Sequence, residues 1–192
     1  VHEPQEELAF YMVLKEMPKQ ATMLELGAYW SFYSLWFHKS VHSPKCFLVE
    51  PLLSNFNYGK KNFSINGCTG NFTNAYVGRS SGLVNGNKQI CVDKFLKEKE
   101  IDHLNILHSD IQGYEVEMLH GADKSLSARI IDYIFISTHS NQLHDQCINL
   151  LESKDYLILA SANLDESFAR DGVIVARRKE MKGLDCINIT LR

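Results

Sequence analysis

The sequence is short of specialised features, and each absence removes a class of function. It has no internal repeat and no low-complexity tract, so solenoid arrays and disordered tails are excluded. No apolar run is long enough to span a bilayer, and the opening Val1-His2-Glu3-Pro4-Gln5-Glu6-Glu7 is acidic without a signal-peptide pattern. No membrane partner is expected, and a cytoplasmic setting is. The first residue is Val1 rather than Met, which leaves an N-terminal extension open. Cys46, Cys68, Cys91, Cys147 and Cys186 are odd in number and include no Cys-x-x-Cys spacing, which excludes a zinc ribbon and a thioredoxin-like motif. They read as reduced thiols, several of them in the core. A basic excess is missing too: 20 Lys and Arg face 23 Asp and Glu for a net charge of -3. No global field then draws the chain to nucleic acid or to an anionic membrane.

What is present is alternation. At 192 residues and 45% hydrophobic composition, one domain with a substantial core is expected. It divides into an N-terminal helix within 1–20, a core over 21–178 and a tail over 179–192. Short apolar runs at 22–26, 46–49, 71–77, 104–108 and 132–137 read as strands, with a further short one near 89–92. Helical patterns at 5–16, 31–39, 93–99, 114–119 and 142–152 separate them, with one more running from Pro51 toward Phe63. The stretch 78–87 reads as a loop, and little beyond the core is left to form a lid. Runs at 156–160 and 173–176 close the chain as an antiparallel pair. This inventory specifies an α/β, Rossmann-like fold with a seven-stranded, mostly parallel sheet flanked by helices and an antiparallel C-terminal hairpin. It is the strand inventory of the class I methyltransferase sheet, whose ligand lies outside the carboxyl ends of the strands beside the first one.

Glu25-Leu26-Gly27-Ala28-Tyr29-Trp30-Ser31 sits where the first strand turns into its helix. A glycine there permits a tight turn and close approach of a ligand to the backbone. The acid before it can hold a cationic or hydroxyl-bearing group, the following helix N-terminus offers N–H donors, and Ser31 can cap that helix. Glu50 ends the second strand, 23 residues beyond Gly27, where an acid bonds ribose hydroxyls in nucleotide-binding folds. The pattern Gly-x-Gly-x-x-Gly is missing, because Tyr29 and Trp30 follow Gly27 and would crowd a pyrophosphate. A sulfonium cofactor carries no phosphate and tolerates that loss, which disfavours a nicotinamide enzyme.

The most specific segment is His108-Ser109-Asp110-Ile111-Gln112-Gly113-Tyr114-Glu115-Val116-Glu117-Met118-Leu119-His120-Gly121-Ala122. It resembles the FkbM family of methyltransferases, whose central motif is a strand followed by Asp-x-Gln/Glu-Gly-x-Glu and a helix ending Leu-x-Gly-Ala. Asp110, Gln112, Gly113, Glu115, Leu119, Gly121 and Ala122 match it. Leu48-Val49-Glu50-Pro51, Val92-Asp93-Lys94-Phe95-Leu96 and Asp171-Gly172-Val173-Ile174-Val175-Ala176 resemble the flanking signatures, so the likeness runs over roughly 22–178. The family's first loop commonly reads Gly-Ala-Asn-x-Gly, and this chain has Tyr29 and Ser31 at the Asn and second Gly positions. The resemblance implies S-adenosylmethionine as cofactor, held by Glu25, Gly27, Ala28, Tyr29, Ser31, Glu50 and Asp110.

Catalysis is expected at the ends of the fourth and fifth strands. Asp110 is placed as substrate base or cofactor contact, against a helix-capping alternative. His139 is placed as a general base with a near-neutral pKa. Trp30 and Asn141 are the substrate-binding candidates, with capping of the next helix favoured for Asn141. Glu115 is expected to face the site and bond backbone near Gly27, whereas His108 and His144 read as structural. Asp110, His139 and Asn141 are the ligand candidates if a divalent metal takes part; one carboxylate and one imidazole suit Mn²⁺ or Fe²⁺ better than Mg²⁺. The expected activity is O-methylation of a small-molecule or sugar hydroxyl, with an N-methyltransferase and a catalytically silent nucleoside-binding module as alternatives. A homo-oligomer is compatible with the exposed strand edge and the aromatic helix.

Overall fold

Residues 22–26 alternate between the two faces of a sheet that is covered on both sides, which is why all five are buried and Glu25 is the one charged residue among them. The computed structural model describes residues 2–192. Helix α1 (Pro4–Leu14) leads into β1 (Thr22–Leu26), α2 (Phe32–Ser40), β2 (Lys45–Val49), α3 (Leu53–Ile65) and β3 (Asn71–Thr73). Three short strands follow, β4 (Tyr76–Val77), β5 (Gly82–Val84) and β6 (Asn87–Ile90), then α4 (Val92–Glu98) and β7 (Leu104–Ser109). Helices α5 (Glu115–Gly121) and α6 (Asp123–Ser127) precede β8 (Ile131–Thr138), α7 (Asn141–Ser153), β9 (Tyr156–Ala162) and β10 (Gly172–Arg178).

The main sheet has seven strands in the order β3-β2-β1-β7-β8-β10-β9. The first five are parallel neighbours, and β10 runs antiparallel between β8 and β9. Leu26 is in register with Val49 on one side and Ser109 on the other, so β1, β2 and β7 end together. The order reverses at β1, which opens a crevice above those three ends. Leu24 and Leu26 face a core with Phe95, Leu119 and Leu151, while Met23 faces the other core with Phe10, Phe37 and Phe135. None of the described helices is long and apolar enough to cross a membrane.

Four local expectations change. The run 71–77 is two strands, not one: Asn74 donates its amide to the carbonyls of Glu50 and Pro51 (2.9 and 2.8 Å), and the chain leaves the main sheet there. The supposed loop 78–87 holds β5, joined to β6 by a two-residue turn at Asn85 (φ 51°) and Gly86 (φ 78°). Both turn residues have positive φ, as the tight turn matching strand twist requires. Pro51 does not begin α3, which starts at Leu53 after an extended Leu52 whose N–H is held by Glu50 Oε1 at 2.9 Å. Finally, α7 is capped by Ser140, whose hydroxyl accepts from Leu143 N–H at 3.1 Å, rather than by Asn141.

Candidate active site

A cavity of about 740 Å³ lies above the reversal point. Its floor is made by Gly27, Glu50 and Asp110 at the ends of β1, β2 and β7, and its far wall by Asn85, Asn87 and Gln89 of the β5–β6 hairpin. The small sheet therefore supplies a cover that the sequence reading did not foresee. The Asn85-Gly86 dipeptide was the signal for it, since such a pair between strand-like residues marks a hairpin. Glu50 and Asp110 are the carboxylates that line the cavity, and among the described residues no Lys, Arg or His does.

The turn after β1 is pinned to β2. The backbone N–H groups of Gly27 and Ala28 both donate to Val49 O (2.9 and 3.0 Å), with Gly27 at φ 75°. Its α-carbon lies against the carbonyl of Asp110, so any side chain there would overlap that oxygen. Tyr29 also has positive φ (43°), and its N–H donates to Glu50 Oε2 at 2.9 Å. Glu50 thus accepts one backbone N–H on each oxygen, from Tyr29 and Leu52, and is oriented before any ligand arrives. The half-exposed Tyr29 ring lines the cavity.

The remaining loop candidates point elsewhere. Ser31 does not cap α2: its backbone is left-handed (φ 68°), its buried hydroxyl has no hydrogen-bond partner, and it packs against Gly59. Trp30 is half-exposed, leans on Tyr29 at 5.8 Å between centroids, and does not line the cavity. Glu25 is buried and turned toward α2, where its carboxylate accepts from Ser34 N–H at 3.3 Å. Burial pushes its pKa up to about 7, although His108 and Ser34 pull the other way. It contributes nothing to the cavity lining.

Asp110 and His139 do meet. His139 Nε2 is 3.3 Å from Asp110 Oδ1 and 3.6 Å from Asp171 Oδ1, and its Nδ1 is 2.8 Å from Glu115 Oε1. Burial opposes a charge on the ring, but the three carboxylates outweigh it and push the His139 pKa up to about 10. The imidazole expected here as a near-neutral base thus sits among three carboxylates, which favour its protonated form. Burial likewise opposes ionisation of Asp110, yet His139, His108 and Gln112 hold its carboxyl below the usual aspartate range. Gln112 donates to Asp110 Oδ1 at 3.1 Å. Glu115 is fully buried and accepts from Gly113 N–H at 2.8 Å, not from backbone near Gly27. Glu117 is apart from all of this, in a bidentate pair with Arg79 (3.0 and 2.9 Å).

Asn141 ties α7 to the loop before β10. Its amide donates to Asp165 Oδ2 at 2.8 Å, and its carbonyl accepts from Leu164 N–H at 3.0 Å. Both ends are engaged, so Asn141 does not join Asp110 and His139 as a third ligand. Among the described residues, no group of three His, Cys, Asp or Glu is arranged to hold a metal ion. The two histidines read as structural are so placed: His144 bridges Thr138 Oγ1 and Ser161 Oγ at 2.8 Å each, and His108 lies 2.8 Å from Glu6 Oε1.

Comparison with known proteins agrees with this architecture. TrmK of M. capricolum, solved with S-adenosyl-homocysteine, superposes with a TM-score of 0.58 at 15% identity, over 88% of this chain and 67% of that one. A precorrin-6y C5,15-methyltransferase from Geobacter metallireducens gives 0.63 at 13% identity, over 91% and 88%. A ribosomal protein L11 methylase from Lactobacillus delbrueckii subsp. bulgaricus gives 0.62 at 12% identity, over 92% and 79%. At such identities the likeness is one of fold. No curated protein matches the chain in sequence. Residues 87–158 match the family model described as the methyltransferase FkbM domain, a span that holds Asp110, Glu115 and His139. Residues 87–158 thus resemble the methyltransferase FkbM domain, and the chain as a whole shares its fold with Rossmann-like methyltransferases.

Proposed function

We propose that this chain is an S-adenosylmethionine-dependent methyltransferase that methylates a hydroxyl of a small molecule or sugar. The observation that carries the reading is the charge of the cavity: two carboxylates, Glu50 and Asp110, and, among the described residues, no cationic side chain. A pyrophosphate would find no partner of opposite charge there, whereas a cationic nucleoside finds two. The volume, about 740 Å³, is in the range of pockets that enclose a cofactor-sized ligand. When bound, S-adenosylmethionine supplies a methyl group on positively charged sulfur, which leaves as a neutral thioether.

The chain's own residues then have separate tasks. Glu50, fixed by two backbone N–H groups, keeps lone pairs free for the ribose hydroxyls. Gly27 and Ala28 hold the turn that lets a ligand approach the backbone. Asp110, ionised at the cavity edge, accepts a hydrogen bond from the acceptor hydroxyl, aligns its oxygen, and takes its proton as the new carbon–oxygen bond forms. His139 keeps that carboxylate in place and is not the base. Trp30, Asn141, Ser31 and Glu25 have no part in this arrangement.

The names of the similar structures include a precorrin and a ribosomal protein methylase, so the acceptor class is not inherited with the fold. A nucleic-acid acceptor gains no support from a cavity without Lys or Arg. One observation favours a second reading, an amine acceptor. Asp110, Glu115 and Asp171 together outnumber the single positive charge of His139, and the surplus suits a cationic acceptor. Calorimetry with S-adenosylmethionine and with NAD tests the main reading. Binding of the first and not the second is expected, and the reverse would overturn it. Product analysis with matched alcohol and amine acceptors separates the two acceptor classes.

A further inference from the structure

The motif that resembles the FkbM family has an acid at each end, Asp110 and Glu115, and only Asp110 reaches the cavity. Glu115 is fully buried in the first turn of α5. Its Oε1 takes two donors, Gly113 N–H and His139 Nδ1, each at 2.8 Å, while Oε2 has no partner. Burying a carboxylate without a full complement of partners is costly, and a helix that needed only packing would carry an apolar side chain there. The other side of the same imidazole makes an ion-pair contact with Asp110 Oδ1 at 3.3 Å, without hydrogen-bond geometry. The two acids of the motif therefore meet through one ring that arrives from a different element, the end of β8.

We propose that Glu115 is a positioning residue: it fixes the ring of His139, and His139 in turn holds the Asp110 carboxylate against the cavity. The inference rests on the methyl-donor reading above, because it assigns Asp110 to a cationic ligand. Glu115 touches neither ligand nor cavity and acts only through the imidazole. Asp171, 3.6 Å from the same nitrogen that faces Asp110, is a second and looser brace. The Asp-x-Gln-Gly-x-Glu spacing then has a physical reason. Gln112 and Glu115 brace one carboxylate, directly and through His139, and Gly113 (φ 97°) makes the turn that brings them round.

A double-mutant cycle on the full chain tests it, with calorimetry of S-adenosylmethionine as readout. Glu115→Gln should weaken binding about tenfold, the loss typical of a hydrogen bond to a charged group. Asp110→Asn should weaken it at least as much, and the double variant should be no weaker than Asp110→Asn alone. Additive losses, or a Glu115→Gln protein that binds like the parent, would overturn the proposal. His139→Gln must reproduce Glu115→Gln in the same cycle, and carries the test if Glu115→Gln does not fold. Nitrogen NMR of the His139 ring adds a signature that packing alone would not move. Both ring nitrogens should remain protonated at pH 8 in the parent and not in Glu115→Gln; an unchanged ring would count against the relay. Absence of binding by the parent protein overturns the methyl-donor reading itself, an outcome distinct from additive losses in a protein that binds.

Discussion

Gly27 and Asp110 lie back to back at the ends of neighbouring strands: the α-carbon of one faces the carbonyl oxygen of the other, with no room for a Cβ between them. The same two strands are joined there by Asp110 N–H donating to Leu26 O at 2.9 Å. Gly27 is therefore required twice, by its φ of 75° and by this contact. Gly27→Ala must push β1 and β7 apart at the cavity floor. A loss of more than about 3 kcal/mol is expected, at the severe end for a single substitution. Chemical denaturation measures it, and a loss below about 1 kcal/mol, the ordinary cost of a mild substitution, would show that the floor is more yielding than described.

Glu25 and Glu50 are both acids near the ends of adjacent strands, and the structure gives them different surroundings: Glu50 holds the turn after β1, whereas Glu25 points toward α2. Glu50→Gln should weaken S-adenosylmethionine binding by about tenfold, since one lone-pair acceptor and the charge are lost. Glu25→Gln should leave the affinity within about twofold, a change well under 1 kcal/mol. Calorimetry on the two variants decides, and equal losses would return Glu25 to the cofactor site.

The pH dependence of Glu25 is a separate expectation. Burial raises its pKa to about 7 from the ordinary 4.5, so the folded state holds the proton more tightly than the unfolded chain. Its contribution is fully present below pH 4.5 and is lost as pH rises through 7. Thermal unfolding should then show Glu25→Gln gaining on the parent between pH 5 and pH 8. A constant difference across that range would mean that Glu25 is already ionised in the folded state.

His139 gives a shift of the same sign higher on the scale. Its proton is bound more tightly in the folded protein, with a pKa of about 10 against 6.5, because Asp110, Glu115 and Asp171 face it. The stabilisation is complete below pH 6.5 and is lost as pH rises through 10. The stability difference between the parent and His139→Gln should shrink steadily over pH 7 to 10. If it holds constant, the ring is neutral and the base role becomes available again.

How much of this could be read from the chain depends on the range of each interaction. The strands 22–26 and 46–49 were legible because a sheet covered on both faces demands largely apolar runs, and Glu50 because it closes one of them. The motif containing Asp110 and Glu115 was legible as local spacing. The partner that unites them was not: His139 is 24 residues from Glu115, and nothing local sets its distance or charge. Treated as a lone loop histidine it has an ordinary pKa, and three carboxylates from separate elements change that. Glu25 failed for a simpler reason. In a strand, neighbours face opposite sides, and an acid two residues before Gly27 points under the helix that follows the turn. The hairpin of Asn85 and Gly86 was legible and was outweighed by its glycine- and serine-rich surroundings.

The pairing of α1 with the sheet supplies the last prediction. Glu6 lies in the first turns of α1, and its Oε1 stands 2.8 Å from His108 Nε2 inside β7, both side chains almost without solvent contact. Its second oxygen accepts from Ser137 Oγ at 3.0 Å, so one carboxylate links the helix to two strands. Burial opposes a charged His108, but Glu6 first and then Glu25 and Asp110 raise its pKa, and the ring packs tilted against Tyr33 at 4.3 Å between centroids. Removing the carboxylate leaves the buried His108 ring without its partner. Glu6→Ala should therefore cost about 3 kcal/mol or more, whereas a surface acid such as Glu98 should cost under about 0.5 kcal/mol. Equilibrium denaturation compares the two. A small Glu6→Ala loss would show that the Glu6–His108 contact contributes little to holding α1 on the sheet.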